Sequence, residues 1–156
     1  MIPALVFAAF CFAILLYIAY PRRLEVTRVV DGDSIEAIWR SRPIRVRLAG
    51  FDAPEYRQPA GKDARAALVR IASEHTIRMS CVNHDRYGRY LGVCFAGTTP
   101  VSWRMIVAGY GWPEGKIGFI LSFIPKFAKR GLWAAENPVH PSFWRRINTS
   151  SHPAKV

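Results

Sequence analysis

The sequence predicts an α+β fold, in which five short strands close into a barrel, one helix is inserted between them, and further helices follow. Apolar and charged residues alternate from residue 44 to residue 48, which is the period of two of a half-buried strand. Apolar residues at helical spacing follow in residues 62–73. Strands collected in the first part of the chain, with helices after them, are typical of α+β folds.

The first three strands are predicted between residues 24 and 48. Residues 24–30 and 34–39 pair across Asp31-Gly32-Asp33, a tripeptide that is common in hairpin turns and has no functional meaning by itself. In the third strand, residues 44–48, the side chains of Arg45 and Arg47 lie on the face opposite the apolar residues.

The inserted helix and the last two strands complete the predicted barrel. Residues 51–59 form a loop with two prolines, and residues 62–73 form the helix. Residues 76–82 and 90–95 form a hairpin around the polar loop 83–89. Five strands with one inserted helix fit an OB-type barrel, an architecture that also binds oligonucleotides.

The C-terminal part is predicted to be helical up to a proline-rich tail. Thr99-Pro100 is predicted to be a helix cap with the proline in the first turn, and Gly109 ends that helix. Residues 117–127 are apolar and form either a core helix broken at Pro125 or a segment resting on a membrane. Core or interface packing is expected, because 11 residues cannot span a bilayer. Residues 137–156 contain three prolines and are predicted to be a tail.

The charge of the chain indicates a polyanionic partner. The 156 residues are enough for one domain and carry 22 Lys and Arg against 11 Asp and Glu, a net charge of +11. None of the charged side chains lies in residues 1–21. A surface this basic attracts nucleic acid or anionic lipid, the alternative being a charge that serves solubility alone.

Residues 2–20 are predicted to be an N-terminal transmembrane anchor, since this apolar run of about 28 Å as a helix matches a bilayer core. A cleaved signal peptide is the alternative, but no Lys or Arg precedes the run and no small-x-small pair lies near Ala19. The chain is thus divided into an anchor (1–21), a folded domain (22–136) and a tail (137–156).

Two features disagree on the orientation of that anchor. Arg22 and Arg23 directly after the apolar run favour a cytoplasmic domain. Cys81 and Cys94 lie on the two strands of one predicted hairpin and could face each other, which would suggest a disulfide and an oxidising compartment. Two buried free thiols are the alternative.

Clustered carboxylates indicate a metal site. Asp33 and Asp52 each lie at the end of a predicted strand, where neighbouring strands can bring both side chains to one point. Two carboxylates with a backbone carbonyl and waters make a suitable Ca²⁺ site, and Asp31 is close enough to support the ligands indirectly.

Three further residues suit phosphodiester chemistry at such a metal. Glu55 follows Asp52 closely enough to orient or deprotonate a water molecule. Arg47 and Arg89 could bind the phosphate and stabilise the charge that develops on it.

Residues 25–133 resemble the staphylococcal-nuclease-like (thermonuclease) family. The resemblance rests on Val29-Val30-Asp31-Gly32-Asp33-Ser34, Arg47-Leu48-Ala49-Gly50-Phe51-Asp52-Ala53-Pro54-Glu55, Asp85-Arg86-Tyr87-Gly88-Arg89 and Arg130-Gly131-Leu132-Trp133. It implies an OB-fold barrel with C-terminal helices and Ca²⁺-dependent cleavage of DNA and RNA. It also implies metal ligation by Asp33, Asp52 and the carbonyl of Ala53, and catalysis by Arg47, Glu55 and Arg89. Exported relatives often carry a cysteine on each side of the Asp85–Arg89 loop, as Cys81 and Cys94 do, which favours a disulfide and an extracytoplasmic domain.

The apolar residues 116–127 depart from the polar helix usual in that family. No histidine pair has the spacing of zinc ligands. Lys129-Arg130 and Arg145-Arg146 are interpreted as solvated charge, with contact to phosphate or lipid as the alternative.

The resulting hypothesis is a membrane-anchored Ca²⁺-dependent nuclease, monomeric and without an implied protein partner. Its first rival is a non-catalytic nucleic-acid-binding OB module tethered to the membrane. The acidic residues argue against that rival, because carboxylates facing phosphates would only weaken binding. A membrane-associated scaffold that uses residues 116–127 and the basic tail on lipid is the third hypothesis.

Overall fold

The computed structural model describes residues 21–149, except for the side chains of residues 81, 82 and 149. The predicted anchor at residues 2–20 lies outside this part of the chain. Between residues 21 and 149, no helix combines the length and the hydropathy that a bilayer crossing requires.

The strands of the described chain form one large sheet and one small one. Their bounds are β1 Arg22–Arg23, β2 Glu25–Val29, β3 Ser34–Trp39, β4 Arg42–Leu48, β5 Phe51–Asp52, β6 Ile77–His84, β7 Tyr90–Ala96, β8 Thr99–Pro100 and β9 Trp112–Pro113. The large sheet has the order β1-β6-β7-β4-β3-β2, with β8 paired to β7, and β5 pairs with β9 in the small sheet. Within the large sheet, β4 and β7 run parallel and the other pairs are antiparallel.

The large sheet is nearly closed into a barrel. Strands β1 and β2 follow each other in the chain, yet β1 pairs with β6 at one edge and β2 pairs with β3 at the other. Between them, Leu24 donates its N–H to the carbonyl of Ile77 at 2.9 Å. The two edges are therefore held by one continuous segment, which confirms the predicted α+β fold with five longer strands in a barrel-like sheet.

Helix α1 (Gly61–Glu74) is the predicted inserted helix and lies between β5 and β6. Its buried face consists of Ala64, Ala67 and Leu68, as the helical spacing predicts. These residues join the apolar core inside the barrel, whose fully buried large side chains are Ile35, Val46, Leu48, Phe51, Leu68, Met79, Val101, Met105 and Ile106.

Three helices and a 3-10 turn follow the barrel: α2 (Val101–Ala108), α3 (Lys116–Phe127), the turn Gly131–Ala134 and α4 (Pro141–Thr149). Gly109 ends α2 with a left-handed φ of 88°, as predicted. The predicted cap lies next to the start of this helix, since Pro100 is its N-cap residue, but Pro100 is not in the first turn, which begins at Val101. Thr99 and Pro100 also pair with β7 as strand β8.

Two further predictions about this region are corrected. The helix over residues 117–127 does not break at Pro125 but continues to Phe127. Pro125 removes one backbone hydrogen bond, and it does so in the last turn, two residues before the helix ends. The segment is not a core helix either, because six of its large apolar side chains are exposed and only Leu121 packs, partly buried, against the core. The predicted tail contains helix α4, for which Pro141 is the first residue, a position where the missing N–H has no cost.

Candidate active site

The Asp31-Gly32-Asp33 turn carries the carboxylate of Asp33 into the protein interior. Asp31 Oδ1 accepts a hydrogen bond from the backbone N–H of Asp33 at 3.0 Å, which fixes the turn. A Cβ atom at Gly32 would lie 2.6 Å from the Cβ of Ala53 and 2.9 Å from that of Ala64. Glycine is therefore required here because the hairpin packs tightly against the following loop and α1, and this contact positions Asp33 beside β5.

Arg47 joins two buried carboxylates in one cluster. Its Nη1 donates to Asp33 Oδ1 at 2.8 Å and its Nη2 donates to Asp52 Oδ1 at 2.5 Å. Asp33 Oδ2 accepts the backbone N–H of Ala53 at 3.0 Å, and its Oδ1 also accepts the hydroxyl of Ser34. Asp33 is 3% exposed and Asp52 is 5% exposed. The structure thus brings together Asp33, Asp52, Ala53 and Arg47, although 20 residues separate the first from Ala53.

The two carboxyl groups have different electrostatic surroundings. Burial raises the pKa of the Asp33 carboxyl to about 7; Arg47 and the N–H of Ala53 lower it, while the charges of Asp31 and Asp52 add to the rise. Burial would also raise the pKa of Asp52, but hydrogen bonds from Arg145 and Arg47 outweigh that effect and hold it below its usual range. Without a further cation, the carboxyl of Asp33 is therefore protonated more readily than that of Asp52.

The donor set of this cluster fits a hard divalent cation. The guanidinium of Arg47 forms ion pairs with both buried carboxylates, so positive charge is stabilised at this position. Carboxylate oxygens, completed by backbone carbonyls and water, are the ligands that Ca²⁺ prefers. Within residues 21–149, no group of three or more His, Cys, Asp or Glu side chains has a metal-binding arrangement.

The loop that carries Glu55 is held by main-chain contacts. The backbone N–H of Glu55 donates to Gln58 Oε1 at 3.1 Å, and the carbonyl of Glu55 accepts the N–H of Gln58 at 2.8 Å. A Cβ atom at Gly61 would lie 1.8 Å from the carbonyl oxygen of Glu55, so only glycine lets α1 begin directly against this loop. The Gln58 amide also donates to the carbonyl of Val139. This ties the Glu55 loop to the segment before α4.

Arg89 is positioned by the first residue of its own loop. Asp85 Oδ1 accepts the backbone N–H groups of Tyr87 and Arg89, and its Oδ2 accepts Arg89 Nε at 2.7 Å. Slight desolvation would raise the pKa of Asp85, but these hydrogen bonds hold it below its usual range. Gly88 has a φ of 75°, which favours glycine at the tip of the loop. The predicted wide loop is shorter than residues 83–89, because β6 extends to His84.

An open cleft of about 1080 Å³ connects these groups. Arg47, Glu55 and Arg89 all line it, whereas Asp33 and Asp52 lie buried behind Arg47. Six of its lining residues are arginines: Arg45, Arg47, Arg86, Arg89, Arg145 and Arg146. A cleft with this many guanidinium groups suits a ligand with several negative charges along its length.

Arg145 is a residue of the candidate site that the sequence interpretation missed. From helix α4, its Nη2 donates to Asp52 Oδ2 at 2.9 Å and its Nη1 donates to Glu55 Oε1 at 2.5 Å. The interpretation of Arg145 as solvated charge is therefore wrong. The prolines concealed this contact, since they made residues 137–156 resemble a tail, and 90 residues separate Glu55 from Arg145. The one available signal was the amphipathic pattern of residues 141–149.

Cys81 and Cys94 lie on adjacent antiparallel strands but are not directly opposite. In the register of β6 and β7, Cys81 pairs with Gly92 and Cys94 pairs with Met79. The two residues therefore occupy diagonal positions in the register of the two strands. Because the side chain of Cys81 lies outside the described part of the structure, the disulfide stays a prediction.

Comparison with known proteins finds similarity to nucleases. The family model described as staphylococcal nuclease homologue matches residues 45–117, which include Arg47, Asp52, Glu55 and Arg89. An uncharacterized endonuclease of Escherichia coli O157:H7 is 33% identical over 127 residues, which are 78% of this chain and 83% of that protein. A micrococcal nuclease of Shigella flexneri is 32% identical over 159 residues, covering 89% of this chain and 91% of that protein. A probable staphylococcal-like nuclease of Oryza sativa subsp. japonica is 32% identical over 111 residues, 68% of this chain and 30% of that protein.

Proposed function

The chain belongs to the staphylococcal nuclease homologue family and is a phosphodiester-hydrolysing nuclease, and we propose that it depends on Ca²⁺ and cleaves both DNA and RNA. One observation supports this most strongly: two buried carboxylates, Asp33 and Asp52, lie directly behind the arginine-lined cleft that Glu55 faces. Carboxylates suit the cation and guanidinium groups suit the phosphate, so the cleft offers both kinds of group that phosphodiester hydrolysis needs.

The proposed cation ligands are the carboxylates of Asp33 and Asp52 and the carbonyl of Ala53, with Asp31 supporting them through the turn. When bound, Ca²⁺ would supply positive charge beside the phosphate that is attacked. Asp31 reaches the ligands through the N–H of Asp33, so its contribution would be to hold the turn in place.

Glu55 is proposed to act as the general base that takes a proton from the attacking water. Arg47 and Arg89 are proposed to donate to the phosphate oxygens and to stabilise the charge that develops on them. Asp85 keeps the Nε of Arg89 occupied, which leaves the ends of that guanidinium directed to the cleft they line. In the structure, Arg47 donates hydrogen bonds to Asp33 and Asp52. Its guanidinium could turn towards the phosphate once another positive charge neutralises these two carboxylates.

Ca²⁺ uptake should displace a proton from Asp33. Because burial, with smaller contributions from the charges of Asp31 and Asp52, raises the pKa of this carboxyl to about 7, the group is mostly protonated at pH 6 and mostly charged at pH 8. Titration calorimetry in buffers of different ionisation enthalpy should therefore give release of about one proton per Ca²⁺ at pH 6 and much less at pH 8. Equal proton release at both values would show that Asp33 does not bind the cation.

Replacement of Arg145 by glutamine should strengthen Ca²⁺ binding. Arg145 places positive charge on Asp52, a proposed cation ligand, and must release it for the cation to bind fully. Since a partly exposed ion pair is worth about 1 kcal/mol, the dissociation constant should fall roughly fivefold. Arg70→Gln removes the same charge from an exposed position on α1 and serves as the control. Weaker Ca²⁺ binding by Arg145→Gln would mean that Arg145 supports the site instead of competing with the cation.

The experiment that tests the substrate range uses end-labelled single-stranded DNA and RNA of one sequence with Ca²⁺ present. Cleavage of both substrates is expected, because backbone phosphates are common to both. Binding without cleavage would favour the rival hypothesis of a nucleic-acid-binding module. Cleavage of only one substrate would overturn the proposed range but not the nuclease assignment.

We further propose that residues 2–20 retain the enzyme at a membrane and that its folded part is extracytoplasmic. Two features support this proposal. One is the apolar run, and the other is the cysteine on each side of the Asp85–Arg89 loop, as in many exported members of the family. Thiol labelling of unreduced cell extracts tests it, with protection of Cys81 and Cys94 expected. Ready labelling of both cysteines would remove the main support for an exported domain.

A further inference from the structure

Helix α3 packs against the protein with its small residues and with the partly buried Leu121, and exposes its other large apolar side chains. Its buried residues are Gly118, Ser122 and Pro125. Gly118 fits closely between Ile106 and Pro113, where an added Cβ atom would lie 3.1 Å from each side chain. The exposed side chains are Ile117, Phe119, Ile120, Phe123, Ile124 and Phe127, each at least 48% exposed. A helix that packed into a protein core would show the reverse arrangement.

The six exposed apolar residues form a single face, which we call the α3 face. Their positions at 117, 120, 124 and 127, with 119 and 123 beside them, follow the helical period and cover about half of the helix circumference. The rings of Phe119 and Phe123 meet edge to face at 5.2 Å. A continuous exposed apolar surface of this kind marks an interaction site rather than ordinary surface.

The borders of the α3 face are basic. Lys116 precedes it, while Lys126, Lys129 and Arg130 follow along the same segment. Lys126 lies over aromatic rings, with its Nζ 5.3 Å from the centre of Phe119 and 4.6 Å from that of Trp133. No Asp or Glu occurs from residue 115 to residue 135. Aliphatic and aromatic side chains bordered by lysines are the composition of helices that lie in the interface of an anionic bilayer.

We propose that the α3 face docks on an anionic lipid surface, with its apolar side chains among the acyl chains and its cationic border at the headgroups. Charge complementarity favours an anionic lipid surface over a second copy of the chain. A second copy of the chain would bring two sets of these cations together without an acidic residue from either segment to neutralise them. Nucleic acid would satisfy the cations but would leave the three isoleucines without an apolar partner.

The cleft and the α3 face are separate surfaces. None of the residues that line the cleft belongs to α3, which contacts α2, β9 and the 3-10 turn. Lipid docking would therefore hold the nuclease at the bilayer without covering its arginine-lined cleft, and changes on the α3 face should leave cleavage in solution unchanged.

The test uses the full chain with a photoreactive phenylalanine analogue at Phe123, reconstituted into vesicles of phosphatidylcholine with or without phosphatidylglycerol. Crosslinks to lipid are expected, and more of them with phosphatidylglycerol. The same analogue at Val69, which is exposed on α1, is the control and should give few lipid crosslinks. Lys126→Gln with Lys129→Gln should lower the ratio of docked to undocked α3 by about fivefold for each charge removed.

Each other outcome would overturn the proposal. Crosslinks to a second copy would assign the α3 face to a dimer. Crosslinks to residues 2–20 of the same chain would mean that the apolar run covers the face. Absence of crosslinks at Phe123, or equal lipid crosslinking from Val69, would show that the face has no lipid contact.

Discussion

Replacement of Arg47 by methionine is expected to destabilise the protein in chelator and to abolish most of its activity with Ca²⁺. The guanidinium neutralises two carboxylates that are almost completely buried, and its own side chain is only 20% exposed. Loss of one partner from a buried ion pair costs about 3 kcal/mol, because the remaining charge is left without a counterion. Urea unfolding at pH 8 with EDTA should show a loss of this size.

The same variant separates the structural role of Arg47 from its proposed catalytic one. Ca²⁺ should restore most of the stability, since it would supply the charge that the two carboxylates lack. It should not restore turnover, which should stay about 10²–10³-fold below wild type because a donor to the phosphate is missing. Arg45→Met, two residues earlier and exposed with Glu36 as its ion-pair partner, should change stability little. Wild-type turnover of Arg47→Met with Ca²⁺ would rule out the phosphate-binding role.

Replacement of Glu55 by glutamine is expected to lower kcat by roughly 10²–10⁴-fold, the usual contribution of a general base. Glutamine keeps an oxygen that can accept the hydrogen bond from Arg145, so helix α4 should stay in place. It lacks the basicity needed to take a proton from water. Single-turnover cleavage with the enzyme in saturating excess over substrate measures this loss.

Two measurements accompany the Glu55 variant. Its dissociation constant for Ca²⁺ should remain close to that of wild type, because Glu55 is not among the proposed cation ligands. Glu25→Gln, an exposed position on β2, controls for the loss of a carboxylate elsewhere and should cleave normally. Unchanged turnover in Glu55→Gln would move the general base to another group in the cleft.

The strands of the barrel could be predicted because the residue pattern that identifies each of them lies within a single segment. Alternation in β4 and the helical spacing in α1 each arise from one segment that buries one face. Closure of the sheet was harder to predict in detail, since it depends on β1 pairing with β6 across more than 50 residues of chain. The Asp33 turn was assigned to the right place, but the reason for Gly32 became clear only when its contact with Ala53 was seen.

Arg145 and the α3 face show where local patterns fail. The sequence contains no local signal that pairs Arg145 with Asp52, because the contact depends on how α4 packs near the Glu55 loop. Residues 117–127 are apolar enough for a core helix, and periodicity does not reveal which face of such a helix is buried. Here the small residues decide the outcome, since Gly118 and Ser122 permit the close approach that leaves six of the large side chains exposed.

Cleavage is expected to depend on Ca²⁺ held by Asp33 and Asp52. This dependence is tested by measuring Ca²⁺ occupancy and cleavage rate in the same samples, across a titration that starts in EDTA, for wild type and for Asp33→Asn. We expect no cleavage in EDTA, a rate that rises in proportion to occupancy of a single site, and loss of both binding and cleavage in Asp33→Asn. Full cleavage by the wild-type protein in EDTA, or wild-type cleavage by Asp33→Asn, would show that the cation held by these aspartates is not needed.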